Sequence, residues 1–207
     1  MTDVWSTVHA ERAALADDLA RLTPAQWATR SLCSEWSVHD VLAHLVATAK
    51  TTRWRFLRKF VAARFDFHAF TANGVREKRA EDPADTLTSF RAVIGRTSTP
   101  PAPLESRLVE AFVHGEDIRR PLGLRREYPV AEVVRAITLQ ARTDAAFGGG
   151  KARVAGVEIR ATDADFTLGA GPVVEGPAIS LLLAVCGRRD AFAELSGPGL
   201  PLVTARG

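Results

Sequence analysis

The sequence predicts a mainly α chain with a small α/β tail, and three observations predict it. Apolar residues recur at helical spacing through the first two-thirds of the chain. The triple glycine Gly148-Gly149-Gly150 then interrupts that period. Beyond it, short runs such as Val154, Val157, Ile159 and Phe166, Leu168 read as strands. The division predicts a helical bundle over residues 1–147 and a small α/β domain over residues 151–207. Composition fits: 46% apolar and 25% charged residues over a length of 207 describe an ordinary globular protein. A chain of that size buries a core without disulfide or metal staples.

Each element has its own signal. Val4, Trp5, Val8, Leu15, Leu19 and Leu22 set one helical face, with Glu11, Arg12, Asp17 and Asp18 mostly between them. Thr23-Pro24-Ala25-Gln26 is a capping box with proline at the first helical position, and it starts a short turn near Trp27. Ser37 and Asp40 form a second capping box, with Trp36 and Val41 placed as its hydrophobic staple, and the helix they open is predicted to run to about Phe65. A third helix starts at Asp82-Pro83 and carries Leu87, Phe90 and Ile94, until Pro100-Pro101-Ala102-Pro103 breaks the chain. A fourth covers about Leu104 to Arg119, stopped by Pro121 and Gly123, and a fifth about Ala131 to Ala146. In the tail, two strands about a turn at Thr162-Asp163 precede a buried helix from Pro177 to Gly187 and two short segments near Ala193 and Leu202.

Charge and cysteine usage exclude several classes. A net charge of +3 is too balanced to predict nucleic-acid binding. The apolar run Ala178–Cys186 is too short to span a bilayer. Cys33 and Cys186 form no CxxC pair and no disulfide framework, and the first residues lack a basic segment followed by an apolar one, so a reducing cytoplasm is expected. Both cysteines read as structural. Arg53-Trp54-Arg55-Phe56-Leu57-Arg58-Lys59-Phe60 interleaves bases with aromatics, which fits an anionic ligand, a membrane surface or nucleic acid. It also fits the end of a bundle helix with solvated arginines and core aromatics. No nucleic-acid or membrane partner is expected.

Two histidines stand in informative places. Glu110 and His114 are four residues apart on one predicted helix, hence on one face. His44 lies among Val41, Leu42, Leu45 and Val46 on another. Facing helices bring two imidazoles and a carboxylate together as three metal ligands with an open fourth position, the form of a catalytic zinc site. Spacing alone leaves a blander alternative open, with His44 a core histidine and Glu110 paired to an arginine. Asp117, three residues after His114, fits either a partner of that ligand or an ion pair with Arg119 or Arg120. The last two also suit a helix C-terminus. Asp40 is explained by its capping box. His39 and His68 read as surface residues, and His9 lies on the polar side of the first helix.

Two blocks narrow the reading. Ser31-Leu32-Cys33-Ser34-Glu35-Trp36-Ser37-Val38-His39-Asp40-Val41-Leu42-Ala43-His44-Leu45 and Val113-His114-Gly115-Glu116-Asp117-Ile118-Arg119-Arg120-Pro121-Leu122-Gly123 resemble the hallmark blocks of the mycothiol-dependent maleylpyruvate isomerase family, which belongs to the DinB-like metalloenzymes. Ala161-Thr162-Asp163-Ala164-Asp165-Phe166, Gly176-Pro177-Ala178 and Cys186-Gly187-Arg188 are similar to its C-terminal domain. The resemblance implies a DinB-like four-helix bundle and a divalent metal, zinc in the isomerase, held by His44, Glu110 and His114. It implies mycothiol as thiol cofactor or co-substrate, with Arg188, or equally Arg189, supporting its binding. The implied chemistry is addition of a thiolate to a conjugated double bond, rotation and elimination, or transfer of the thiol to a small electrophile. The other reading is a non-catalytic metal- or ligand-binding stress-response protein of the same fold, and a helical nucleic-acid-binding regulator is a third. A monomer or a homodimer is expected.

Overall fold

The computed structural model describes residues 3–33 and 35–206. Met1, Thr2, Ser34 and Gly207 lie outside the described residues, Ser34 being one member of the first sequence block. The chain is mainly α with a small α/β tail and divides into two compact units, residues 1–125 and 126–207.

In the first unit, α1 (Val4–Leu19), α2 (Pro24–Trp27) and α3 (Val38–Ala49) follow the predicted pattern. Both capping boxes form: the Thr23 and Ser37 hydroxyls accept the backbone N–H of Gln26 and Asp40, whose side chains accept in return. The first unit continues with α4 (Arg53–Ala62), α5 (Phe67–Lys78), α6 (Pro83–Arg91) and α7 (Ser106–Arg119). α1, α3, α6 and α7 pack as a closed ring, each against two of the others. Their shared core includes Leu15, Leu19, Leu42, Val46, Phe90 and Ile118. Side chains of this size each stabilise by about 1.5–3 kcal/mol when fully buried. Polar ties join the ring as well: buried Arg119 on α7 donates to Asp18 on α1 at 2.7 Å.

Between Ser37 and Pro83 the structure departs from expectation. The helix predicted to reach Phe65 ends at Ala49, and α4 starts anew after Thr52, whose hydroxyl accepts the Arg55 N–H. Thr51 meanwhile donates to the Ala47 carbonyl. Two consecutive threonines engaged with backbone groups compete with helix continuation. α4 buries none of its residues, so no core face carries it along α3. α5, absent from the sequence reading, is capped by the Asp66 carboxylate and packs on α3.

The second unit contains α8 (Val130–Gln140), β1 (Glu158–Ala161), β2 (Thr167–Gly169), β3 (Val173–Gly176), α9 (Ala178–Val185) and α10 (Leu200–Thr204). The sheet order is β2-β1-β3, with Ile159 opposite Leu168 in the antiparallel pair and opposite Val174 in the parallel one. β3 was not anticipated, because Val173 and Val174 are its sole apolar pair between glycines and Glu175. Val154 lies in a turn before β1, not in a strand. α8, expected to belong to the bundle, packs on α9 through the side that buries Val133, Ala136 and Ile137. The unit boundary therefore falls at Arg125–Arg126, before α8, and not at the triple glycine. The glycines make a close approach within the second unit: a Cβ on Gly150 would lie 2.2 Å from the Val185 carbonyl oxygen. Among the described residues, no helix is long and apolar enough to cross a membrane.

Candidate functional site

α3 and α7 are neighbours in the ring, and each brings one histidine to their seam. His44 sits on the buried face of α3, flanked by Val41, Leu45 and the ring of Trp36 at 4.9 Å. Its own ring centroid lies 4.9 Å from that of His114, nearly edge-to-face at 77°. The two imidazoles, 70 positions apart in sequence (114 − 44), thus share one locus.

His114 is oriented from behind. Its Nδ1 lies 2.8 Å from the Asp117 Oδ2, and Asp117 is fully buried. The Cys33 thiol donates to the same oxygen at 3.1 Å and lies 4.0 Å from Nδ1. The loop carrying Cys33 is fastened on both sides: the Leu32 N–H donates to the Asp117 carbonyl at 3.1 Å, and the Ser31 hydroxyl accepts the Cys33 N–H and donates to the Trp36 carbonyl. With Nδ1 donating to Asp117, Nε2 is the nitrogen left to offer a lone pair.

Electrostatics separates the two imidazoles. Burial pulls the His114 pKa down, but the hydrogen bonds to Asp117 and then Cys33 outweigh it, and the value rises to about 9. His44 is pushed well below the ordinary histidine range, first by burial and then by the charge of His114 and of Arg107. One ring is therefore disposed to hold a proton and the other to stay neutral.

Glu110 lies one turn before His114 on α7 and is buried between arginines. Arg107 Nη1 donates to it at 2.8 Å, and Arg12 Nη2 from α1 approaches its other oxygen at 3.8 Å. Arg12 is held in turn by the Arg96 carbonyl at 2.9 Å, while its buried Nη2 makes no hydrogen bond. The structure thus brings His44 and His114 together and leaves Glu110 on the same helix face in an ion pair. Among the described residues, the compact donor group is Cys33, His114 and Asp117, with ligand atoms within 4.8 Å of one another. The donor types present suit a divalent cation. Using Asp117 as a ligand would break the hydrogen bond that orients His114, whereas His44, Glu110 and His114 leave that bond intact.

Other expectations meet mixed outcomes. Cys33, read as structural, is part of the cluster; its place after a loop turn left no periodic signal. His39 is not a surface residue: it is buried on α3 and shares a 2.8 Å hydrogen bond with the Thr86 hydroxyl of α6. His68 is exposed, as expected. Arg120 donates to Glu116 at 2.7 Å, and Asp117 lies 2.8 Å from the His114 Nδ1. Asp40 caps α3 and also accepts from Arg79 at 2.8 Å. In the second unit, Arg188 Nη1 donates to the Cys186 carbonyl at 2.9 Å, and Arg189 opens the 3-10 segment Arg189–Glu194.

An open cleft reaches His44 from the side of α4 and α5. Thr48 and Phe70 form part of its wall, and Arg55, Lys59 and Lys78 supply its cations. The basic segment Arg53–Phe60 thus borders the cleft by its inner residues. Its outer residues do not enter a core: Trp54 is 82% exposed.

Residues 8–102 match the family described as the mycothiol maleylpyruvate isomerase N-terminal domain. Two solved structures are similar over 94% of this chain and 91% of theirs. One is a mutant of the mycothiol-dependent maleylpyruvate isomerase, at 12% identity and a TM-score of 0.65. The other is a further crystal structure under that enzyme's name, at 13% identity and a TM-score of 0.63. No curated protein matches the sequence. The match runs from α1 to α6, so residues 8–102 of this chain are similar to that family's N-terminal domain.

Proposed function

We propose that this chain is a metal-dependent enzyme that activates mycothiol, for cis–trans isomerisation of a small conjugated substrate or for S-transfer to a small electrophile. The observation that carries the reading is the pair of imidazoles at 4.9 Å, one of them oriented through Nδ1 by buried Asp117. In this reading His44 and His114 hold a divalent cation, zinc being the ion such a set suits, and Glu110 completes the set. When bound, the cation lowers the pKa of a thiol and accepts the soft sulfur.

The chain's own residues supply the rest. Asp117 and Cys33 fix the His114 tautomer, and burial keeps His44 neutral and available as a donor. Arg107 and Arg12 hold the Glu110 carboxylate close to the seam. Trp36 and the apolar face of α3 exclude water on the inner side of the rings. Isomerisation requires a thiolate to add to the double bond, the resulting single bond to rotate, and the same thiolate to leave, so the thiol is regenerated. Transfer requires the sulfur to remain attached while the electrophile's leaving group departs. In this reading Arg188, or Arg189 beside it, contacts the thiol cofactor.

Metal analysis of the purified chain, combined with a thiol-consumption assay on a generic electrophile, tests the proposal. Stoichiometric metal and turnover are expected, both abolished by His44→Ala and by His114→Ala while helical content is retained. Activity surviving either change overturns it. The Arg107–Glu110–Arg12 contact favours a second reading, a non-catalytic binding protein of the same fold. That reading requires bound metal without turnover.

A further inference from the structure

The cleft above His44 carries cations that the thiol chemistry does not use. Arg55 and Lys59 come from α4 and Lys78 from α5, and all three line the cleft. They converge on one carboxylate, Glu77, which itself does not line it. Glu77 Oε1 accepts from Arg55 at 3.2 Å and from Lys78 at 2.9 Å, and Oε2 accepts from Lys59. Three cations against one anion leave an excess of two positive charges at this mouth, and among the described residues lining the cleft none is acidic.

We propose that this mouth seats the carboxylate of a small ligand whose other end reaches His44, and that Glu77 occupies the cations as an internal stand-in until the ligand displaces it. The proposal rests on the reading of the histidine pair as the reactive centre and names the ligand chemistry that its cleft accepts. Exchange of one carboxylate for another leaves no cation unpaired, which is what makes it easy. Glu77 is 39% exposed, so its departing carboxylate has water to turn into. The cations give the site charge-assisted donors, including a planar guanidinium suited to a carboxylate. The wall beneath them is apolar: Phe70 lines the cleft and packs against Phe56, with ring centroids 5.1 Å apart. A charged mouth over an apolar wall is the usual form of a site that orients a small anion. The Glu77 pKa, lowered to about 2 by its bonds to Lys59 and Lys78, records how strongly the cations favour a carboxylate.

Succinate, a small unreactive dicarboxylate, and its neutral diamide are the probes. They are titrated calorimetrically into the full-length protein without thiol, with circular dichroism as the check on folding. Succinate is expected to bind and the diamide not. Lys59→Met with Lys78→Met should weaken succinate by about tenfold or more, the loss of two charge-assisted contacts. Glu77→Gln should tighten it several-fold, because it removes the competitor. Succinate binding that is absent at about 10 mM, unchanged in the double variant or weakened by Glu77→Gln overturns the proposal. Because no thiol or turnover is involved, succinate binding with no thiol chemistry would sink the enzymatic reading alone, and the reverse result would sink this one alone.

Discussion

Nδ1 of His114 and Oδ2 of Asp117 lie 2.8 Å apart, and Asp117 is completely buried. A buried carboxylate behind an imidazole fixes its tautomer and strengthens its other nitrogen as a ligand. Asp117→Asn keeps the volume and removes the charge. It is expected to weaken metal affinity about 10–100-fold with helical content unchanged. Competition with a chromogenic chelator reads this directly; unchanged affinity would show that Asp117 does not support the ligand.

Metal uptake should depend on pH in a defined window. The His114 pKa is raised to about 9, so below that pH a cation must expel a proton from the ring. Apparent affinity should rise with pH, by up to about tenfold per unit, and level off near pH 9. Asp117→Asn removes the group that holds the proton, so its plateau should begin at lower pH. Titrations at several pH values check both curves.

The α1–α7 tie predicts a stability effect with no catalytic content. Arg119 is fully buried and donates to Asp18 at 2.7 Å. Asp18→Asn weakens a charge-assisted contact of a buried guanidinium and is expected to cost about 1–3 kcal/mol. Chemical denaturation measures it, and metal affinity should not change.

His39 makes a second such prediction. Its 2.8 Å bond to Thr86, whose hydroxyl also accepts the Ala80 N–H, joins α3 to α6. Thr86→Val leaves the Ala80 N–H and the His39 ring nitrogen without that hydroxyl and should destabilise by about 1–3 kcal/mol. Burial, then the charge of Arg79, lowers the His39 pKa, so the fold favours its neutral form. The associated stability is present above the unfolded value of about 6.5 and is lost as pH falls through it. Denaturation midpoints between pH 7.5 and about 5 should fall, and His39→Gln should flatten part of that slope.

What the sequence made legible was whatever has a local grammar. Thr23–Gln26 and Ser37–Asp40 announce their capping boxes because the two partners lie three residues apart. His44 and Glu110–His114 stand out because imidazole on an apolar face and a carboxylate one turn away are local patterns too. Cys33 was misjudged because its role depends on a loop pinned to Asp117, a contact between positions 84 apart. His39 was misplaced because its partner Thr86 lies on another helix. The partner of α8 has no local signal, because its apolar face matches any apolar partner and the one it meets, α9, lies in the tail. The Glu110 ion pair depends likewise on Arg12, nearly a hundred residues upstream.

The interruption at Lys50–Thr52 has an evolutionary corollary. The histidine on α3 is anchored in the ring, while two of the three cations lining its cleft, Arg55 and Lys59, ride on a helix that buries none of its residues. Substitutions along α4 can therefore alter what the protein recognises at little risk to its folding. A lineage carrying this scaffold is free to exchange one small molecule for another by rewriting that short stretch, with the reactive centre left untouched.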